Sequence, residues 1–145
     1  MPGPRLTRPR PVARAAATRG EIVDGITFGL AVGLGQASLT ITPALVRLVS
    51  PPHAPDMTPL LLPLAAGAAA GALASVIGAE TRSWTTALVR TLAMTLPVGV
   101  ALIAASPGGE SLGWAAWWAA TLLFALPLGG WAALRAHRRR PLGVL

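Results

Sequence analysis

No cysteine and no lysine occur in this 145-residue chain, and only five residues are acidic. The first absence excludes disulfides and thiolate chemistry and leaves the redox compartment unreadable. The second makes all twelve basic residues arginine. With abundant Ala, Gly and Pro, this is an actinobacterial-like composition, a bias of a GC-rich genome more than of function. Charged residues are 12% of the chain, against the roughly 25% of an ordinary soluble domain. Hydrophobic residues reach 53% and mean hydropathy is +0.60, so a soluble fold would have too little polar surface to cover its core. No Ser-His-Asp set, G-x-S-x-G, H-E-x-x-H or phosphate-cradling G-x-x-x-x-G-K-S/T pattern is present. His53 and Asp56 are two polar groups where a metal site needs three or four, and His137 stands among arginines. Neither an enzyme nor a cofactor is expected.

What is present are four charge-free apolar stretches, 25–46, 57–79, 91–109 and 111–134. Each is near or above the ~20 residues a helix needs to cross a bilayer core. The expected fold is all-α, a bundle of four transmembrane helices with spans of about 22–49, 59–79, 84–105 and 112–134. Pro51, Pro52 and Pro55 stop the first span, and Pro59 suits the first turn of the second. The link from Glu80 to Ser83 is short enough to force an antiparallel hairpin, and Pro107, Gly108 and Gly109 make the next turn.

The net charge of +7 is placed asymmetrically. Arg5, Arg8, Arg10, Arg14 and Arg19 precede the first span, Arg82 lies between the second and third, and Arg135, Arg138, Arg139 and Arg140 follow the fourth. The opposite loops carry Arg47, Asp56 and Glu110. That is the positive-inside pattern, so both termini are expected in the cytoplasm and the protein in the cell inner (plasma) membrane. Residues 1–21 read as a disordered basic leader and 136–145 as a basic tail, both meeting anionic headgroups rather than nucleic acid. The first apolar run is longer than a signal-peptide core of 7 to 15 residues, which favours a retained span. Trp84 and Trp131 fall at inner boundaries, and Trp114 and Trp117 near the outer one, as indole at an interface requires; Trp118 lies slightly deeper.

Small residues recur every four positions: Gly25, Gly29, Gly33 and Ala37; Gly67, Gly71, Ser75 and Ala79; Ala125, Gly129 and Ala133. In lipid, close backbone approach along such stripes supplies much of helix adhesion, within a chain or between chains. Pro63, Pro97 and Pro127 lie inside spans, and Thr91 and Thr95 are placed to recover the carbonyl freed by Pro97. Among polar residues inside spans, Gln36 and Thr40 share a face, and Arg90 lies about 9 Å into its helix. Arg90 is expected to snorkel to the interface or to pair with Asp24 or Glu21.

The run from Asp24 through Gly25, Phe28, Gly29, Gly33 and Gly35 to Ala37 resembles the D-G-x-x-Y/F-G-x-A-x-G-L-G-x-A segment of PrsW-type intramembrane metalloproteases. Thr40 and Ile41 stand where that family has a Glu-Asn pair, and no paired-Glu motif precedes the run. The resemblance therefore implies a degenerate, non-proteolytic relative. More loosely, the G-L-x-x-G-L phrasing, the loop from Ala54 to Pro59 and the Arg-rich end look like the membrane portion of actinobacterial NACHT-type NTPases, without their nucleotide-binding domain. The expected function is a small non-enzymatic accessory that associates, through small-residue helix faces, with itself as a homo-oligomer or with a larger membrane protein. A transporter or channel component is the alternative.

Overall fold

The computed structural model describes residues 16–48, 57–106 and 112–139, and for 40–48 the helical backbone alone. Among the described residues there are four α-helices and no strand: α1 (Arg19–Leu48), α2 (Thr58–Glu80), α3 (Trp84–Ala104) and α4 (Trp114–Arg138). All four are long and apolar enough to cross a membrane. The protein is a multi-pass helical bundle. Most of the leader, the loop with His53 and Asp56, the turn through Pro107 and Glu110, and the last residues of the tail lie outside the described residues.

Two helix ends differ from the sequence expectation by about a turn, each for a polar reason. α1 begins three residues early, at Arg19. Thr18 and Glu21 form a capping box there: the Thr18 amide donates to the Glu21 carboxylate at 2.8 Å, and the Glu21 amide donates to the Thr18 hydroxyl at 3.3 Å. α4 runs on through Arg135 to Arg138, about a turn beyond the apolar run, because Arg135 and Arg139 meet acids of α1. The last arginines are thus helical in part rather than all tail.

Each helix runs antiparallel to the next. Gly25 of α1 lies against Gly71 and Ser75 of α2, whereas Gly33 lies against Pro63. Gly99 of α3 lies against Thr121 of α4, whereas Gly129 lies against Leu88 and Leu92. The most extensive pairings are α1 with α2 and α3 with α4, while α2 and α4 meet across the middle. In cross-section the bundle is a rhombus with α2 and α4 on its short diagonal and α1 and α3 at the far corners. The start of α1, the link 81–83 and the end of α4 share one end, the basic end, with Arg19, Arg82, Arg135, Arg138 and Arg139.

The α1–α2 contact is backbone on backbone. A Cβ at Gly29 would stand 2.8 Å from the Gly67 carbonyl carbon and 3.0 Å from Gly71 Cα; one at Gly67 would stand 2.9 Å from Gly33 Cα. None of these glycines has a positive φ, so what they supply is proximity. α3 carries its own line of small buried residues, Ala87, Thr91, Thr95 and Gly99, which the sequence reading did not single out. At the centre Phe124, Leu128, Leu102 and Ala70 pack with Phe28, Val32, Ala66 and Val98. Towards the basic end Ala74, Ile77, Ala87, Ala132 and Ala136 pack with Trp131. The outer surface is apolar, with Leu61, Leu62, Val89, Met94, Leu123 and Leu126 all exposed, as contact with lipid tails requires.

Candidate functional site

The densest polar arrangement among the described residues is a junction of α1, α2 and α4 at the basic end. Trp131 of α4 stacks on Phe28 of α1, with ring centroids 4.6 Å apart and planes at 12°. Its indole N–H donates to the Ser75 hydroxyl of α2 at 3.1 Å. One turn on, the Arg135 guanidinium lies 4.8 Å from the Trp131 ring centre, within cation–π range. The same guanidinium donates to Asp24 at 2.9 Å and stands 3.4 Å from Glu21. Arg139 forks onto both Glu21 oxygens, through Nε at 3.1 Å and through a second nitrogen. Two acids and two arginines close on each other, joining the first turn of α1 to the last of α4 and leaving the charge of the junction near zero.

This geometry follows from local choices. The capping box turns Glu21 into the first helical turn. The three-residue step to Asp24 puts both acids on neighbouring faces, and the four-residue step from Trp131 to Arg135 to Arg139 lines up ring and guanidinium groups on α4. α4 can approach α2 closely because Gly78 lies under Arg135: a Cβ there would stand 2.8 Å from Arg135 Cβ.

Asp24 is therefore engaged by Arg135, and Glu21 by both arginines of α4, so the expected pairing of either acid with Arg90 does not form. α1 and α3 occupy opposite corners of the rhombus, which keeps these groups apart. Arg90 is exposed on the outer face of α3, and Pro97 is exposed on the same face, whereas Gln36 is buried on α1. A transport path lined jointly by Gln36, Arg90 and Pro97 is not brought together. The side chain of Thr40 lies outside the described residues. The Thr95 hydroxyl donates to the Thr91 carbonyl at 2.8 Å, not to the carbonyl of Ala93 that Pro97 leaves without its helical donor. The buried Thr91 hydroxyl has no hydrogen-bond partner among the described residues.

The small-residue candidates Gly25, Gly29, Gly33, Gly67, Gly71 and Ser75 all meet in the α1–α2 contact within one chain. Gly129 instead makes room for side chains, with Leu88 Cδ1 at 2.9 Å from the position of a Cβ. Trp131 is half-buried at a three-helix contact rather than open to an interface, while Trp84 and Trp114 are exposed. The sequence reading missed Phe28, Arg135 and Arg139 as members of a site. The available signals were the T-x-x-E pattern of Thr18 and Glu21 and the four-residue spacing of Trp131, Arg135 and Arg139.

No family model, no curated protein and no solved structure matches the chain.

Proposed function

We propose that this protein is a non-enzymatic accessory of the cell's inner membrane, with its basic end in the cytoplasm, that associates with itself or with a larger membrane protein. The observation that carries the reading is that α1 has two small-residue faces and uses one of them inside the bundle. Gly25, Gly29 and Gly33 are buried against α2, while Thr27, Ala31 and Gly35, also four apart, are exposed, and nothing lies within 4 Å of a Cβ built at Gly35. In lipid such a face admits another helix at close range. The distribution of arginine supports the orientation.

Because the chain has no cysteine, single-cysteine crosslinking in native membranes tests the reading without background. Ala31→Cys should yield a disulfide-linked dimer or a crosslink to one stoichiometric partner, and Gly35→Leu should abolish it with folding intact. Gly29→Leu is unsuitable for this purpose, since it acts on the interior of the bundle. Absence of any crosslinked species, with Gly35→Leu indistinguishable from the parent in a native-membrane pull-down, would overturn the reading.

A further inference from the structure

We propose that the outer face of α3 binds the phosphate of an anionic phospholipid through Arg90, with Thr86 and Arg82 beside it. Arg90 is exposed, and the buried line of α3 through Ala87, Thr91 and Thr95 lies about 60–140° around the helix from it. Its neighbours on the open surface are apolar, Val89 at 63% and Met94 at 51% exposure. Arg90 therefore faces lipid. It stands six residues beyond Trp84, about 9 Å along the axis, and the exposed indole of Trp84 marks the interface.

An uncompensated charge in hydrocarbon is costly. The bundle offers it no anion: among the described residues Glu21 and Asp24 are held by Arg135 and Arg139, and neither Glu80 nor Arg90 forms an ion pair. The anion at hand is the lipid phosphodiester. Side chains of a helix lean towards its N-terminus, which for α3 is the interface, so the guanidinium head is carried back towards Thr86 and the headgroup layer. Thr86 is exposed one turn earlier on the same face and Arg82 is exposed in the link before it, adding a hydroxyl donor and a second positive charge. Arginine meets phosphate with two parallel hydrogen bonds. Below Arg90 the same face continues with Ala93, Pro97 and Ala101, all exposed and short, a shallow surface for the acyl chain. Two guanidinium groups with no paired acid among the described residues favour a lipid of net negative charge over a zwitterionic one.

The test is native mass spectrometry of the full chain released from micelles supplemented with phosphatidylglycerol or phosphatidylcholine. Arg90→Gln should lower phosphatidylglycerol retention by more than the roughly fivefold effect of any one arginine near an anionic surface, because it also removes the paired hydrogen bonds to phosphate. Arg90→Lys should fall between, and Arg138→Gln, the same charge change at the end of α4, should lower retention by no more than that general, roughly fivefold effect. Equal losses for Arg90→Gln and Arg138→Gln, or equal retention of the two lipids by the parent, would overturn the proposal. So would an Arg90→Gln variant that keeps its lipid but loses a protein crosslink, which would assign Arg90 to an acidic partner. Should Arg90→Gln fail to fold, a photoactivatable phosphatidylglycerol on the parent chain decides: adducts within 82–101 support the site, and adducts confined to other helices refute it.

Discussion

Alanine at Gly29 and alanine at Gly35 are the same chemical change six residues apart on one helix, and the structure gives them opposite consequences. At either site the side chain favours the helix by about 0.5–1 kcal/mol over glycine, and this gain cancels when the two variants are compared. At Gly35 the new methyl meets nothing within 4 Å. At Gly29 it stands 2.8 Å from the Gly67 carbonyl carbon and 3.0 Å from Gly71 Cα, where ordinary contact begins at 3.4 Å. The helices must part by at least the larger difference, about 0.6 Å, and further to clear the Gly67 carbonyl oxygen. Opening a packed interface by about 0.5–1 Å forfeits a quarter to a half of its dispersion attraction, and backbone has no rotamer with which to yield. The expected cost is that of overpacking, about 1–3 kcal/mol. Reversible unfolding in mixed micelles, followed by circular dichroism against the fraction of denaturing detergent, should place Gly29→Ala below Gly35→Ala by that amount. Two variants within about 0.5 kcal/mol of each other, the level at which independent substitutions add, would refute the idea that α1 and α2 meet backbone to backbone at this point.

Gly29→Ala combined with Gly71→Ala should cost less than the sum of the two, because one separation relieves both contacts; the same titration measures it. Glu21→Gln should destabilise the bundle by about 1–3 kcal/mol, between the values for exposed and for buried pairs, since Arg135 and Arg139 are only 16% and 26% exposed; a cycle with Arg139→Gln should show a non-zero coupling. Ser75→Ala should cost about 0.6 kcal/mol, typical of a single interhelical hydrogen bond in a membrane bundle, whereas Trp131→Ala, which also removes the Phe28 stack, should cost more in the same assay. Cysteine placed at Arg82 should react with an impermeant maleimide only after permeabilisation, and cysteine at Ser106 in intact cells; the reverse pattern would invert the topology.

The four helices were legible because a bilayer demands length and apolarity and little else, so apolar runs, read with the prolines and tryptophans beside them, place the helix ends to within about a turn. The stripes of Gly25, Gly29 and Gly33 and of Gly67 and Gly71 were legible as packing faces, but not which face meets which, since spacing describes one helix and pairing is a property of two. Arg135 and Arg139 were obscured by their company: beside Arg138 and Arg140 they read as two more topogenic charges, and only the approach of α4 to α1 gives them acidic partners. The same holds for Trp131, whose position near a helix end fits an interfacial belt equally well until Phe28 and Ser75 are brought against it. Thr91 and Thr95 drew notice only for their proximity to Pro97, although with Ala87 and Gly99 they form a stripe as regular as those of α1 and α2. Hydroxyl residues do not stand out in a search for glycine and alanine.

A contact surface that repeats every fourth residue has no inherent alignment. Were α2 to slip past α1 by one repeat of four residues, about 6 Å, Gly29 would stand where Gly25 does against Gly71 and Gly33 where Gly29 does against Gly67, but Ser75 and Ala37 would bring a Cβ to places that glycine now holds. Adhesion and address thus reside in different residues: the glycine track holds the two helices together, while the unrepeated knot of Glu21, Asp24, Phe28, Ser75, Trp131 and Arg135 tells them where to stop. Loosening the knot without touching the track would leave a bundle that still coheres, with only the Cβ atoms of Ser75 and Ala37 opposing a one-turn ratchet of the kind packed helices use when they switch.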